Sequence, residues 1–253
     1  MLGMTAWSGT KIQCEPQPDE TVVVSAASGG VGQCAGQIAK QLGCRVVGIA
    51  GPAEKCLFVT DVLGFDACVS YRADSFHADL KAACPDGCDV YFENVGGDVW
   101  AAVLPLLNRN ARVTRCGLMS QQVSETGTGA KEWEAQGAEV IAKQDVNAQS
   151  LFVGTAGGAA AAPGDPEFQE HERDFLDTMG GWLASGAVRY KEDLRPGLEN
   201  APLTFQALLS PGDASGSTFG KTLVGVGEDP TLSSAIASAR GGVNVLTKPS
   251  PSL

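Results

Sequence analysis

A glycine-rich turn between an apolar strand and an amphipathic helix most restricts how this chain can fold. Residues 21–27 read TVVVSAA, and Ser28-Gly29-Gly30-Val31-Gly32 follows directly. A helix that ends at Gly43 is predicted next. The apolar residues on one of its faces are Val31, Ala35, Ile38, Ala39 and Leu42. Glycines let such a turn approach a pyrophosphate, and the helix N-terminus directs free N–H groups at it. The turn therefore predicts a nucleotide site, with an ordinary strand-to-helix turn as the alternative.

Short apolar runs rich in β-branched residues alternate with segments of helical period between residues 21 and 117. The predicted strands are 21–27, 45–50, 67–70, 89–93 and 112–116. Beyond the helix that follows the turn, the predicted helices are 53–63, 74–83 and 98–107. This alternation indicates βαβ units. It predicts an α/β chain with a Rossmann fold, a doubly wound parallel sheet with helices on both faces.

The pattern weakens after Gly117. Residues 123–150 are polar with one candidate helix, and 155–166 (TAGGAAAAPGDP) are typical of a loop. A helix is predicted over about 168–185, with Gly186 at its end. Its apolar stripe is typical of a protein core: Phe168, Phe175, Leu176, Met179, Trp182 and Leu183.

The charge balance restricts the partners. The 253-residue chain carries 18 Lys and Arg against 29 Asp and Glu, a net charge of −11. Nucleic acid and anionic membranes would repel such a protein at long range. No run of residues approaches the roughly 18 apolar residues that a membrane span needs. We therefore predict neither partner, and an anionic cofactor must be held by local donors.

Eight cysteines are scattered through the predicted helices and strands. This distribution favours a reducing, cytoplasmic setting, in which the thiols act mostly as small apolar groups. Cys84 and Cys88 have the spacing of a metal-ligand pair, but no second pair accompanies them, and His77 and His171 are the only histidines. A structural zinc site needs four ligands, so we predict no metal.

The end of the second strand predicts the type of nucleotide. An NAD site usually places an acidic residue there to accept from the ribose 2′-OH, whereas this chain reads Gly48-Ile49-Ala50-Gly51. A 2′-phosphate meets no carboxylate in that stretch, and Lys55 in the first turn of the next helix can supply the countercharge. The residues favour NADP(H) over NAD(H). A solvated lysine paired with Glu54 is the alternative interpretation of Lys55.

Two further segments follow the fourth and fifth strands. Glu93-Asn94-Val95-Gly96-Gly97 and Cys116-Gly117-Leu118-Met119-Ser120 lie where parallel strands end, on the sheet edge at which α/β proteins bind ligands. Asn94 can both donate and accept hydrogen bonds, and the backbone of 116–120 can line a nicotinamide pocket. For each segment, a polar turn without a ligand is the alternative.

A set of longer motifs covers about residues 20–120 and returns over 182–226. They read TVVVSAASGGVGQ, GCRVVGIAG, LGFDACVSYR, DVYFENVGG, WLASGAVRYKED, GLENAP and FGKTLV. Together they resemble the zinc-independent medium-chain dehydrogenase/reductases, in the subfamily of leukotriene B4 12-hydroxydehydrogenase and prostaglandin or alkenal reductase. The resemblance implies NADPH-dependent reduction of the C=C double bond of an α,β-unsaturated aldehyde or ketone.

The resemblance also implies roles for individual residues. Gly29, Gly30, Val31 and Gly32 would hold the pyrophosphate, and Lys55 and Tyr71 the 2′-phosphate. The ribose and nicotinamide would lie near Asn94, Cys116, Gly117, Leu118, Met119 and Ser120, with Phe152 and Val153 as a further wall. Oligomerisation in the family often runs through this domain, which implies a homodimer.

The departures from the family pattern concern catalysis. Gln121-Gln122 replace a tyrosine and an asparagine, so a candidate proton-relay hydroxyl is missing, and Thr218 replaces the asparagine before FGKT. The family's preceding GroES-like domain, about a hundred residues that shield the nicotinamide from water, is expected to be absent. We therefore assign no catalytic residue.

The motifs and patterns together divide the chain into four predicted segments. We expect a remnant of the inter-domain segment over 1–20 and an NADP-binding domain over 21–185, divergent over 123–166. A C-terminal strand region over 186–227, with a last strand at 221–226, would return to the catalytic-domain side. The Ser-, Ala- and Pro-rich tail over 228–253 is expected to be poorly ordered.

Three functional hypotheses remain open at this point. The first is an NADPH-dependent reductase of enals and enones, and the second is a quinone reductase of the same superfamily. The third is a non-catalytic NADP-binding module, which the expected missing domain and Gln121-Gln122 favour.

Overall fold

Six parallel strands form one sheet, which contains the five strands predicted from the alternation in the sequence and one more. The computed structural model describes residues 1–117, 129–151, 153, 165–209 and 220–226. The strands are β1 (Thr21–Ser25), β2 (Arg45–Ala50), β3 (Ala67–Ser70), β4 (Cys88–Glu93), β5 (Leu107–Arg115) and β6 (Asn147–Ser150). They lie in the order β3-β2-β1-β4-β5-β6 and every neighbouring pair is parallel. This confirms the doubly wound Rossmann sheet.

Helices cover both faces of the sheet. Helix α1 (Leu2–Trp7) continues as a π-helix over Ser8–Cys14. Seven further α-helices are described: α2 (Gly32–Gln41), α3 (Ala53–Asp61), α4 (Phe76–Ala83), α5 (Gly97–Val103), α6 (Gly129–Lys143), α7 (Pro166–Ser185) and α8 (Ala201–Leu209). Two short 3-10 helices cover Leu104–Leu106 and Leu198–Asn200.

The buried apolar residues form two clusters, one on each face of the sheet, and the clusters show which helices cover each face. Val22 and Val24 of β1 pack with buried residues of α1, α2, α3 and α7, whereas Val23 packs with those of α4 and α5 and with the partly buried Ile141 of α6. Successive side chains of a strand point to opposite faces. A strand that is apolar at every position is therefore buried on both sides, as in parallel sheets generally.

Several boundaries differ from the sequence prediction. β1 ends at Ser25 instead of residue 27, because Ala26 takes the left-handed conformation with φ +50° and begins the turn. The helix predicted over 98–107 ends at Val103. A 3-10 turn follows, so β5 begins at Leu107 instead of residue 112.

Some elements have no counterpart in the sequence prediction. The N-terminal helices and β6 are among them, and so are β7 (Glu192–Pro196), α8 and the helical extent of α6 within 123–150. The predicted last strand is present as β8 (Lys221–Gly225), which pairs in parallel with β7. The tail predicted over 228–253 lies outside the described residues. So does the loop predicted over 155–166, apart from its last two residues.

Helix α7 is present as predicted, but its apolar stripe is only partly core. Asp165 caps the helix by accepting the Glu167 N–H at 3.0 Å, and Gly186 ends it in the left-handed conformation with φ +75°. Met179 is buried, and the rings of Phe175 and Trp182 pack 5.9 and 6.0 Å from that of Trp7. The core prediction is wrong for Leu176 and Leu183, which are 59% and 37% exposed.

The small β7–β8 sheet lies against the glycine-rich turn. Gly29 forms an isolated parallel bridge with Gly220, the residue before β8. Gln33 of α2 donates from Nε2 to the Lys191 carbonyl at 3.2 Å and accepts the Lys191 N–H at 2.9 Å. The segment before β7 is thus fixed to the first turn of α2.

Two glycines in helix interiors allow a matched test of the packing between α2 and the sheet. A Cβ at Gly36 would lie 1.9 Å from the Cζ of the buried Phe65, whereas a Cβ at Gly180 meets no atom within 4 Å. Both substitutions to alanine gain helix propensity, up to about 1 kcal/mol. We expect Gly36→Ala to lower the free energy of unfolding by about 1–3 kcal/mol through overpacking and Gly180→Ala to raise it slightly. Urea unfolding measures both, and equal effects would contradict the packing of Phe65 on Gly36.

Candidate functional site

The strand order places a crevice at one edge of the sheet. β1 lies in the middle, and the chain passes to β2 and β3 on one side and to β4, β5 and β6 on the other. In open α/β sheets, ligands bind at such a switch point, outside the carboxyl ends of the strands. The segments predicted to bind a nucleotide follow β1, β2, β3, β4 and β5, and all therefore converge on this edge.

The turn after β1 is tightly closed. The Gly29 N–H donates to the Ala26 carbonyl at 2.8 Å, and the Gln33 N–H donates to the Gly29 carbonyl at 3.0 Å. A Cβ at Gly32 would lie 2.3 Å from the Ala26 carbonyl oxygen, so only glycine fits where α2 begins. This close approach brings the N-terminus of α2, with its unsatisfied N–H groups and partial positive charge, over the end of β1.

The other members of the turn have distinct surroundings. Val31 caps α2 and its carbonyl accepts the Ala35 N–H at 2.9 Å. A Cβ at Gly30 would lie 2.8 Å from Leu2 Cδ1 and 3.4 Å from Lys221 Cβ. The structure thus brings Gly29, Gly30, Val31 and Gly32 together as one backbone cradle, with α1 and β8 along its side.

Basic and phenolic side chains surround the end of β2. Lys55 is half-buried in the first turn of α3, and Tyr71 directly follows β3. A Cβ at Gly51 would lie 3.4 Å from Tyr71 Oη and 3.6 Å from Arg72 Nε, so both side chains fold over this glycine. Lys55 belongs to the same place because the charge of Arg72 acts on its amine. We call the surroundings of Lys55, Tyr71 and Arg72 the basic recess; the sequence analysis did not consider Arg72, although it adjoins Tyr71.

Burial and like charge act on the Lys55 amine. Burial lowers its pKa, the nearby Arg72 guanidinium lowers it further, and Glu54 and Asp193 oppose this effect. Like charges gathered in a partly buried recess repel one another, and an anion bound between them relieves that repulsion. Such partly buried, mutually repelling cations favour the binding of an anion such as phosphate.

Asn94 joins β4 to β1. Its backbone N–H donates to Ser25 Oγ at 2.7 Å, and its side-chain Nδ2 donates to the Ser25 carbonyl at 2.7 Å. The Asn94 side chain is buried. Its amide donor thus holds the crevice together at the ends of two strands, a structural contact that the sequence analysis did not anticipate.

Cys116 and Gly117 lie beside this pair. Their N–H groups donate to the Glu93 carbonyl at 2.8 and 3.2 Å, and a Cβ at Gly117 would lie 3.1 Å from the Asn94 carbonyl oxygen. Burial raises the pKa of the Cys116 thiol to about 11, so this sulfur is a neutral lining group. Four predicted lining residues lie outside the described part of the chain: Leu118, Met119, Ser120 and Phe152. Val153 is described and is 37% exposed.

Glu93 is a buried acid at the floor of the crevice. Its Oε1 accepts the N–H groups of Val95 and, at 2.5 Å, Gly96. Its Oε2 is buried and has no hydrogen-bond partner in the described structure. Burial raises the pKa of this carboxyl to about 7, against the effect of the two N–H donors. The sequence analysis gave Glu93 no role, although an acid ending an otherwise apolar strand was visible.

Cys84 and Cys88 are buried free thiols. Burial raises the pKa of Cys84 to about 11 and holds that of Cys88 well above its usual range. Within the described ranges, no group of three or more His, Cys, Asp or Glu side chains is arranged to hold a metal ion. No described helix has the length and apolar character needed to cross a membrane.

Replacement of Glu93 by glutamine tests its protonation in the fold. A carboxyl whose pKa is raised from its ordinary 4.5 to about 7 binds its proton more tightly in the folded state, so its stabilising contribution is full below pH 4.5 and is lost as the pH rises to 7. We expect wild type to lose on the order of 3 kcal/mol relative to Glu93→Gln over that window. Urea unfolding from pH 4.5 to 8 measures the difference.

The matched control for this experiment is Glu139→Gln, at an exposed position of α6. It should change the pH dependence of unfolding little. A wild-type profile parallel to that of Glu93→Gln would contradict a protonated Glu93 at neutral pH.

Comparison with known proteins identifies the domain. A family model described as zinc-binding dehydrogenase matches residues 30–157. The NADPH-dependent curcumin reductase of Escherichia coli is 41% identical over 90% of this chain and 62% of its own length. The NADP(+)-dependent 2-alkenal reductase of Nicotiana tabacum is 36% identical over 90% of this chain and 61% of its own length.

A solved structure agrees with these sequence matches. CurA from Vibrio vulnificus in complex with NADPH has a TM-score of 0.77 and 37% identity, covering 90% of this chain and 63% of that one. The chain thus spans about 62% of the length of the curated reductase it matches at 41% identity. The resemblance stated from the motifs is confirmed, and the chain belongs to the zinc-binding dehydrogenase family, among the medium-chain dehydrogenase/reductases.

Proposed function

We propose that this chain binds NADP(H) and takes part in the NADPH-dependent reduction of the C=C double bond of α,β-unsaturated aldehydes or ketones. The observation that carries the proposal is the pairing of a backbone phosphate cradle with a basic recess at the end of β2. The similarity to a curcumin reductase and to a 2-alkenal reductase supports the substrate class.

The residues present fit the cofactor. In the cradle of Gly29, Gly30, Val31 and Gly32, the three glycines carry no Cβ, and backbone without side chains allows the close approach of a pyrophosphate. Lys55 and Tyr71 would hold the 2′-phosphate, and no carboxylate lies in residues 48–51 to exclude it. Asn94, Cys116 and Gly117, with Leu118, Met119 and Ser120, would line the ribose and nicotinamide.

The bound cofactor would supply a hydride for the β-carbon of the conjugated carbonyl compound. The chain's own contribution is to orient that cofactor. The hydrogen bonds between Asn94 and Ser25 fix the ends of β1 and β4. Glu93 fixes the turn at Val95 and Gly96, which would hold the lining in one geometry beside the reacting ring.

Several further expectations belong to this proposal. Residues 1–20 and 186–227 would join the cofactor domain to the catalytic-domain side, and a homodimer would form through the cofactor domain. A cytoplasmic location is supported by the eight cysteines, all of which are free thiols. A quinone reductase and an NADP-binding module without catalysis remain the competing hypotheses, and the assays below separate them.

The cofactor preference can be tested at Lys55. We expect wild type to bind NADPH more tightly than NADH, and Lys55→Met to raise the dissociation constant for NADPH by about tenfold, because a charge-assisted hydrogen bond to phosphate is lost. The constant for NADH should change by less than about twofold. Titration of nicotinamide fluorescence measures both constants. Lys81→Met, an exposed position in the last turn of α4, is the control for net charge.

The reaction can be tested by NADPH oxidation against a panel of 2-alkenals, enones and quinones. We expect turnover with alkenals and enones and less with quinones. A profile led by quinones would favour the second hypothesis. Tight NADPH binding without oxidation by any member of the panel would favour the non-catalytic module and contradict the reductase assignment for this chain.

A further inference from the structure

Lys191 is remote in sequence from every predicted site residue, yet the fold brings it to the basic recess. It lies just before β7, and its backbone makes two hydrogen bonds to Gln33 in the first turn of α2. Its carbonyl also accepts the Lys221 N–H at 2.9 Å. The Lys191 backbone is thus fixed on two sides, directly beside the phosphate cradle.

The side chain of Lys191 reaches helix α3. Its Nζ lies 5.6 Å from the centroid of the Phe58 ring, and Phe58 is one helical turn beyond Lys55. The residue is only 6% exposed. A lysine held this closely loses little further conformational entropy when its amine binds a ligand, which favours a role in recognition.

Lys191, Lys55 and Arg72 lie near enough for their charges to interact at the basic recess. Burial lowers the pKa of both lysine amines, and Asp193 and Glu54 oppose this effect. The charge of Arg72 lowers the pKa of Lys55 further, and the charge of Lys55 lowers that of Lys191 further. Glu54 and Asp193 are the carboxylates nearby. Asp193 is shared with a fourth cation, since its Oδ2 accepts from Arg195 Nη2 at 2.9 Å, while its buried Oδ1 accepts no hydrogen bond in the described structure.

The three cations come from three different elements. Lys55 belongs to α3, Arg72 follows β3, and Lys191 precedes β7. In a protein of net charge −11, such a concentration of positive charge around one recess is what a multiply charged anion requires.

We infer that Lys191 is a specificity-determining residue that contributes a third positive charge to the site of the nucleotide 2′-phosphate. This inference rests on the proposed binding of NADP(H). It extends the site from the two predicted residues, Lys55 and Tyr71, to the segment between α7 and β7. The competing explanation is that Lys191 only neutralises Glu54 and Asp193, in which case it would affect stability and not cofactor choice.

The test compares wild type with Lys191→Met, Lys191→Arg and the charge control Lys81→Met. Dissociation constants are measured for NADPH and NADH, and also for 2′-AMP and 5′-AMP, which separate the 2′-phosphate from the rest of the cofactor. For Lys191→Met we expect about a tenfold or larger weakening for NADPH and 2′-AMP, with NADH and 5′-AMP changed by less than about twofold. Lys191→Arg should retain most of the preference, and Lys81→Met all of it.

Each other outcome overturns the inference in a distinguishable way. Equal weakening of NADPH and NADH, or a preference that survives Lys191→Met, would leave the proposed function intact and remove Lys191 from the 2′-phosphate site. A wild type that binds NADPH no more tightly than NADH would overturn the proposed cofactor as well. Thermal unfolding of each variant checks folding, and if Lys191→Met does not fold, Lys191→Gln takes its place in the same titrations.

Discussion

The close approach of helix α2 to the end of β1 is the constraint on which the rest of the site depends. It exists because Gly32 has no side chain at a point where a Cβ would lie 2.3 Å from the Ala26 carbonyl oxygen. That approach sets the helix N-terminus over the crevice. It also places Gln33 where both ends of its amide can bind the Lys191 backbone, so one glycine determines both the cradle and the position of a distant lysine.

A chain this acidic can bind an anion only through groups close to the binding site. The net charge of −11 produces a field that opposes an approaching nucleotide. In the cradle, backbone dipoles, which carry no net charge, would attract the anion. In the recess at the end of β2, side-chain cations would attract it. Because the cations are partly buried, their fields are screened less by salt than those of exposed lysines, and they act where the phosphate would lie.

Local patterns in the sequence predict most of the sheet but little of what lies around it. The strands β1 to β4 are short segments in which apolar residues predominate, and they alternate with segments of helical period, so the sequence reveals them. Only the end of the more polar β5 is predicted. β6 reads NAQS and is a strand only because it pairs with β5, which no local signal reveals. The N-terminal helices are equally hidden, since Trp7 is buried in a cluster whose members come from distant parts of the chain, the rings of α7 among them.

The same distinction applies to the site. The glycine turn and Lys55 are found from sequence because each sits next to the strand that defines it, whereas Lys191 lies 158 residues from its partner Gln33. The cradle after β1 consists of backbone groups, whereas the basic recess consists of side chains from three separate elements. With NADP(H) bound as proposed, substitutions in the recess would change which nucleotide binds without disturbing the cradle, so the preference for a cofactor would be separable from its binding.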